Sequence, residues 1–143
     1  MIVGYTTGVF DMFHIGHLRL LQRAREHCDE LIVGISTDEL VLSHKKVKLV
    51  IPYEDRAEIV AGLKCVDKIV PQTNYDKIRA WENLNFDRMF VGSDWKGTPQ
   101  WLQYEKLFAN FRVDIVYFDY TIDISSSKLR VFIEENFKLM GRP

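Results

Sequence analysis

Residues 1–17 read MIVGYTTGVFDMFHIGH. Ile2 to Thr6 is a short apolar run leading into Gly8, the pattern of a strand. From Gly16 to His27 the apolar positions Leu18, Leu21, Ala24 and Cys28 recur at helical spacing. Arg19, Gln22, Arg23 and Glu26 fill the other face, as on an amphipathic helix. A strand therefore hands over to a helix through a glycine, an aspartate and two histidines.

The same alternation continues along the chain. Glu30–Ser36 (ELIVGIS) is nearly continuous apolar sequence, as expected of a strand buried on both faces. Thr37–Val50 mixes charged and apolar residues and reads mostly as a loop. Pro52 opens a helix that runs to about Gly62, with Glu54 and Asp55 at its positive end. Lys68–Val70 is a short strand ended by Pro71, and Tyr75–Asn83 is helical. Arg88–Val91 is a strand stopping at Gly92, Pro99–Ala109 a helix, Asp114–Phe118 a strand, and Ser125–Phe137 a last helix. This order predicts an α/β fold: a Rossmann-like parallel sheet of about five strands, with helices on both faces and right-handed crossovers. With 143 residues, the chain suits one domain spanning 1–143.

Composition narrows the function. The net charge of -1 argues against a nucleic-acid-coating or membrane-surface protein. No apolar run has the length to cross a bilayer. No charged segment followed by an apolar one opens the chain, so no signal peptide is expected, and the cytoplasm is the expected location. The two cysteines, Cys28 and Cys65, form no CxxC pair and are expected to be free thiols in a reducing compartment.

Parallel sheets bind ligands beyond the carboxyl ends of their strands. After the first strand come Gly8, Asp11, His14, Gly16 and His17. Ser36, Thr37 and Asp38 follow the second, then Lys45, Lys46 and Lys48. Gly92-Ser93-Asp94-Trp95-Lys96-Gly97 follows the fourth. After the last come Tyr120, Thr121, Ile124, three serines and Lys128. Taken singly, the serines read as a helix N-cap, the lysines as a solvated loop, Trp95 as packing and Asp94 as a turn cap. The histidine pair has two of the ligands of a zinc site, with no third nearby. Taken jointly, glycines that admit close backbone approach, helix N-termini, imidazole donors and cations on one sheet edge describe a polyphosphate site.

GVFDMFHIGH resembles the HxGH signature of the nucleotidyltransferase superfamily that includes the cytidylyltransferases and class I aminoacyl-tRNA synthetases. The wider match is to the small bacterial glycerol-3-phosphate cytidylyltransferases. It runs through ISTDE (Ile35–Glu39), YEDR (Tyr53–Arg56), VDKIVP (Val66–Pro71), VGSDWKG (Val91–Gly97) and TIDISSSKLR (Thr121–Arg130). The resemblance implies a nucleotidyltransferase fold and transfer of CMP from CTP to a small phosphorylated alcohol, with glycerol 3-phosphate the best single acceptor. It implies catalytic roles for His14, His17, Asp11 and Lys46, with Lys45 and Lys48 as alternatives for the lysine. It implies nucleotide contacts from Thr7, Gly8, Val9, Phe10, Gly16, Gly92, Asp94, Trp95, Thr121, Ile124, Ser125 and Ser126. Acceptor contacts would come from Arg56, Lys64 and Asp38. Mg2+ would ride on the CTP phosphates with no dedicated protein metal site, and the chain would pair as a homodimer. Two positions depart from that family: Tyr120 stands where its last block opens on arginine, and Lys64 where it carries another arginine. The alternative readings are an adenylyltransferase of the same superfamily using ATP, and a nucleotide-binding module of weak or no activity.

Overall fold

Five stretches rich in β-branched and aromatic residues form strands, as such residues pack well on a pleated surface. They are Val3–Gly8 (β1), Glu30–Ser36 (β2), Lys68–Gln72 (β3), Arg88–Gly92 (β4) and Asp114–Phe118 (β5). The computed structural model describes residues 1–45, 48–119 and 126–139. All strand pairs are parallel, in the order β3-β2-β1-β4-β5. Asp29, Asp67 and Asp87 each stand one residue before a strand. Their carboxylates accept the amides of Ile2, Leu31 and Val3, at 2.6, 2.7 and 2.9 Å. These bonds help set the stagger of the sheet at its amino edge.

Helices Ile15–Arg25 (α1) and Tyr53–Ala61 (α3) cover one face, where Leu21, Ala24, Ala57 and Val60 meet Leu31, Val33 and Ile35. Lys77–Leu84 (α4) and Pro99–Ala109 (α5) cover the other, where Trp101 and Phe108 pack with Tyr5, Ile32, Phe86 and Met89. The alternation of Leu31, Ile32 and Val33 between the two cores is the two-residue period of a strand buried on both sides. Asp76 caps α4 by accepting the Arg79 amide at 3.1 Å. Thr98 caps α5, with Pro99 at its first position. The last helix is Ser126–Leu139 (α6). Among the described residues no helix is long and apolar enough to cross a membrane. Cys28 is buried, Cys65 is half-buried, and both are free.

Two expectations are corrected. Asp38–Lys45 forms a helix, α2, where a loop was expected. The Thr37 hydroxyl accepts the Leu40 amide at 3.2 Å, acids occupy the first turn, and His44 and Lys45 occupy the last. These are favourable ends for the helix dipole, but only Val41 is buried, so the apolar period is too weak to read. Pro71 lies inside β3 rather than ending it. β3 is an edge strand, where a proline nitrogen facing outward breaks no ladder bond.

Gly4 is required by close packing between β1 and its neighbours. A Cβ there would stand 2.6 Å from the Phe90 ring and 2.7 Å from the Cys28 sulfur. Gly4→Ala is expected to destabilise by about 1–3 kcal/mol through overpacking. Urea denaturation measures this, and an unchanged midpoint would contradict it.

Candidate active site

The chain runs from β1 to β2 and β3 on one side, then crosses to β4 on the other. Adjacent loops diverge at the β1/β4 boundary and leave a crevice beyond the carboxyl ends, the usual ligand position in such sheets. The Thr6 hydroxyl ties the two strands there by donating to the Phe90 carbonyl at 3.1 Å.

The loop leaving β1 carries backbone strain. Phe10 and Met12 both adopt left-handed conformations, with φ of 56° and 50°. Bulky side chains rarely do so, and such strain persists where the surroundings over-determine it. Asp11, between them, supplies much of that constraint. It is 1% exposed, and its carboxylate accepts the amides of Val50 at 3.0 Å and Ile51 at 2.9 Å. It also forms a charged hydrogen bond with Arg130 of α6. Burial alone would push the Asp11 carboxyl up. The two amides and the Arg130 hydrogen bond and charge outweigh burial and hold it below the usual carboxylate range.

Beyond the strain the two histidines cap α1. His14 is the N-cap, and its Nδ1 accepts the Gly16 amide at 3.1 Å. The Nδ1 of His17 accepts the His14 amide at 3.3 Å. The rings stack with centroids 3.9 Å apart. Burial lowers the pKa of His14. His17 is lowered to about 4 by burial and then by His14, against an opposing pull from Asp11. Both rings are therefore neutral near pH 7. Because each Nδ1 is an acceptor, each neutral ring carries its proton on Nε2. The His14 Nε2 is buried without a hydrogen-bond partner among the described residues. The pair thus offers two uncharged N–H donors at the N-terminus of a helix, a donor set suited to phosphate oxygens.

A cavity of about 400 Å³ opens at the same sheet edge. Of the nucleotide-contact residues anticipated above, Thr7, Gly8, Val9, Gly92 and Trp95 line it. His14 and His17 stand in the loop just beyond Val9 and do not line this cavity; Leu20, one turn past His17, does. Phe10 is buried beneath the loop, its ring 5.4 Å from that of His17. Gly16 supplies the amide to His14. Ser93–Trp95 forms a single 3₁₀ turn in which Asp94 is exposed and Trp95 is 49% exposed. Lys46, Thr121, Ile124 and Ser125 lie outside the described residues, as does Tyr120; Ser126 begins α6. Lys45 lines the cavity from the end of α2.

The three expected acceptor contacts fall elsewhere. Arg56 is 1% exposed. Its guanidinium donates to the carbonyls of Ile51 at 2.9 Å, Val9 at 2.6 Å and Ser36 at 2.8 Å, and to Asp38 at 2.6 Å. The second oxygen of Asp38 accepts the Tyr53 amide at 3.1 Å. Arg56 and Asp38 therefore tie the loops after β1 and β2 to α3, and the arginine presents no face to the cavity. Lys64 is exposed in the turn between α3 and β3. That turn is at the amino edge of the sheet, opposite the cavity, because β3 runs parallel to β1.

Several lining residues were not anticipated. Gln72, Tyr75 and Lys77 line the cavity from the β3 side. Gln72 is buried and accepts the Ser36 hydroxyl at 2.8 Å. Lys77 sits above the Tyr75 ring at 6.0 Å, and burial pushes its ammonium down to about 8. One signal for Lys77 was present in the sequence: a cation in the first turn of a helix opposes the dipole and calls for another partner. Arg130 was legible only as part of the last block.

A family model described as cytidylyltransferase-like matches residues 5–132. The chain is 35% identical over 126 residues to the glycerol-3-phosphate cytidylyltransferase of Bacillus spizizenii, covering 87% of this chain and 92% of that protein. It is 40% identical over 91 residues to an FAD synthase of Thermococcus onnurineus, covering 61% of this chain and 59% of that one. Among solved structures, a lipopolysaccharide core biosynthesis protein from Thermoplasma volcanium superposes with a TM-score of 0.71 at 25% identity. That match covers 87% of this chain and 99% of the other.

Proposed function

The chain belongs to the cytidylyltransferase-like family, and we propose from that premise that it transfers CMP from CTP to glycerol 3-phosphate, giving CDP-glycerol and pyrophosphate. A phosphate oxygen of the acceptor attacks the α-phosphorus of CTP. The bond from that phosphorus to the oxygen bridging to the β-phosphate breaks, and pyrophosphate leaves with the electron pair. The attacking oxygen is already anionic near neutral pH, so no general base is needed. Catalysis is positioning and stabilisation of charge on the transferring phosphoryl oxygens. The observation that carries this reading is the histidine pair at the N-terminus of α1, whose Nδ1 atoms both accept backbone amides and leave Nε2–H as the donor.

In this reading His14 and His17 donate to phosphate oxygens near the reacting phosphorus. Asp11 positions their loop. Thr7, Gly8, Val9, Phe10 and Gly16 shape the backbone around the phosphates. Gly92, Asp94 and Trp95 meet the nucleoside side, with Thr121, Ile124, Ser125 and Ser126 closing over base and phosphates. Lys46, with Lys45 beside it, adds charge to the triphosphate. The acceptor phosphate meets Lys77, a half-buried cation on the β3 side of the cavity. Among the described residues no group of three or more His, Cys, Asp or Glu is placed to hold a metal, and the donors at the histidine loop are N–H groups. Such a donor set fits magnesium only as an ion carried on phosphate oxygens and water, where it would offset triphosphate charge. The reading includes a cytoplasmic location, and a homodimer supported by the exposed Val131, Phe132, Ile133 and Phe137 on α6.

The assay is pyrophosphate release with CTP or ATP against a panel of phosphoalcohols. CTP with glycerol 3-phosphate is expected to give turnover. Turnover only with ATP and its own acceptors would replace this reading with an adenylyl one, and nucleotide binding without turnover would make the chain a binding module. Lys77→Ala is expected to raise the acceptor KM by about tenfold to a hundredfold, as for loss of a charged hydrogen bond, with the CTP KM little changed. In the wild type, kcat/KM for the acceptor should fall as pH rises through about 8, because that ratio reports the free enzyme and Lys77 then loses its charge. A flat profile there would remove Lys77 from the acceptor site.

A further inference from the structure

Arg130 lies on α6, four residues past the start of that helix. Its Nη2 pairs with the Asp11 Oδ2. Asp11 lies between the two left-handed residues of the histidine loop and holds the Val50 and Ile51 amides. The Ile51 carbonyl in turn accepts from Arg56, which also binds the Val9 carbonyl at the root of the loop. A chain of charged hydrogen bonds thus runs from α6 into both ends of the strained segment that presents His14 and His17.

We infer that Arg130 is a positioning residue: its ion pair with Asp11 holds the histidine loop in its strained, catalytic shape and links that shape to the docking of α6. This rests on the cytidylyltransferase reading for the consequence in turnover, but not for the consequence in loop order. A buried carboxylate with a charged partner on one side and two amides on the other is strongly directional. Removing the arginine takes away the charge that opposes burial of the carboxylate, so the loop loses a constraint that its unfavourable φ angles require.

The test compares Arg130→Met and Arg130→Lys with wild type, each first shown to be folded at the assay temperature by its melting curve. Amide exchange is read without substrate at His14 and Gly16, whose N–H groups hold the two rings. The proposal predicts faster exchange at both in Arg130→Met, with Arg130→Lys close to wild type. With CTP and glycerol 3-phosphate, Arg130→Met should lose roughly tenfold to a hundredfold in kcat, the scale of a small misplacement of catalytic groups. Its KM values should change far less. Asp11→Asn added to Arg130→Met should cost little further, as expected for two residues acting as one unit. Unchanged exchange at His14 and Gly16 in folded Arg130→Met would overturn the proposal, as would additive losses in the double variant. A wild type that turns over no nucleotide would sink the cytidylyltransferase reading, while the exchange measurement would still decide the role of Arg130.

Discussion

Replacing His17 by alanine is expected to lower kcat by a factor on the order of 10²–10³, the usual cost of removing one preorganised donor from a developing negative charge. The CTP KM should move far less, because the donation is strongest when the phosphoryl oxygens carry most charge. His14→Ala should show a loss of the same order, joined by about 1 kcal/mol of stability from the lost N-cap. His14→Asn separates the two effects, since asparagine restores a cap without placing a donor where Nε2 stands. The rings act as neutral donors, so kcat should not fall as pH rises through the ordinary histidine range, His17 gaining a proton only near a value of about 4. A general acid working as an imidazolium would give the opposite, with kcat falling as pH rises through the ordinary histidine range. Steady-state rates of the three variants, with a wild-type pH profile, decide between the two accounts.

The second large effect is on stability. Arg56→Leu is expected to destabilise the fold by about 3–5 kcal/mol, the range for removing one member of a buried charged network. Three carbonyls, from Val9, Ser36 and Ile51, would lose their donor, and Asp38 its counterion. Arg56→Lys should recover only part of the loss, because an ammonium cannot reach four acceptors with the fixed fork of a guanidinium. Urea denaturation reads both variants. If Arg56→Leu kept wild-type stability and lost only acceptor binding, the arginine would be a ligand residue after all and the network described here would be incidental.

Much of the fold was legible because its strands are buried on both faces and its helices carry plain end signals. ELIVGIS reads as a core strand, and Pro99 as the start of a helix. α2 was hidden because a short helix lying along the surface buries one residue, Val41, and leaves no period to see. The histidine pair was legible as a handover signature. Its tautomers were not, because they depend on two backbone amides that only the capping geometry aims at Nδ1. Arg56, Asp38 and Lys64 show the limit of reading residue types. An arginine at the front of a helix and an aspartate after a strand look the same in sequence whether they face a ligand or one another, and the partners of the Arg56 guanidinium decide it. Lys64 was read by its place in a resemblance, whereas topology puts its turn on the opposite edge of the sheet. Lys77 was overlooked because a lone lysine near a helix start attracts no attention until the cavity beside it is seen.

A crystal structure of the protein with CTP decides the matter. The nucleoside should lie in the crevice between β1 and β4, and the triphosphate across the N-terminus of α1. Phosphate oxygens should lie within about 3 Å, hydrogen-bond distance, of the Nε2 atoms of His14 and His17. A triphosphate bound elsewhere, or histidine rings turned so that Nδ1 rather than Nε2 meets it, would rule out His14 and His17 as the phosphate donors.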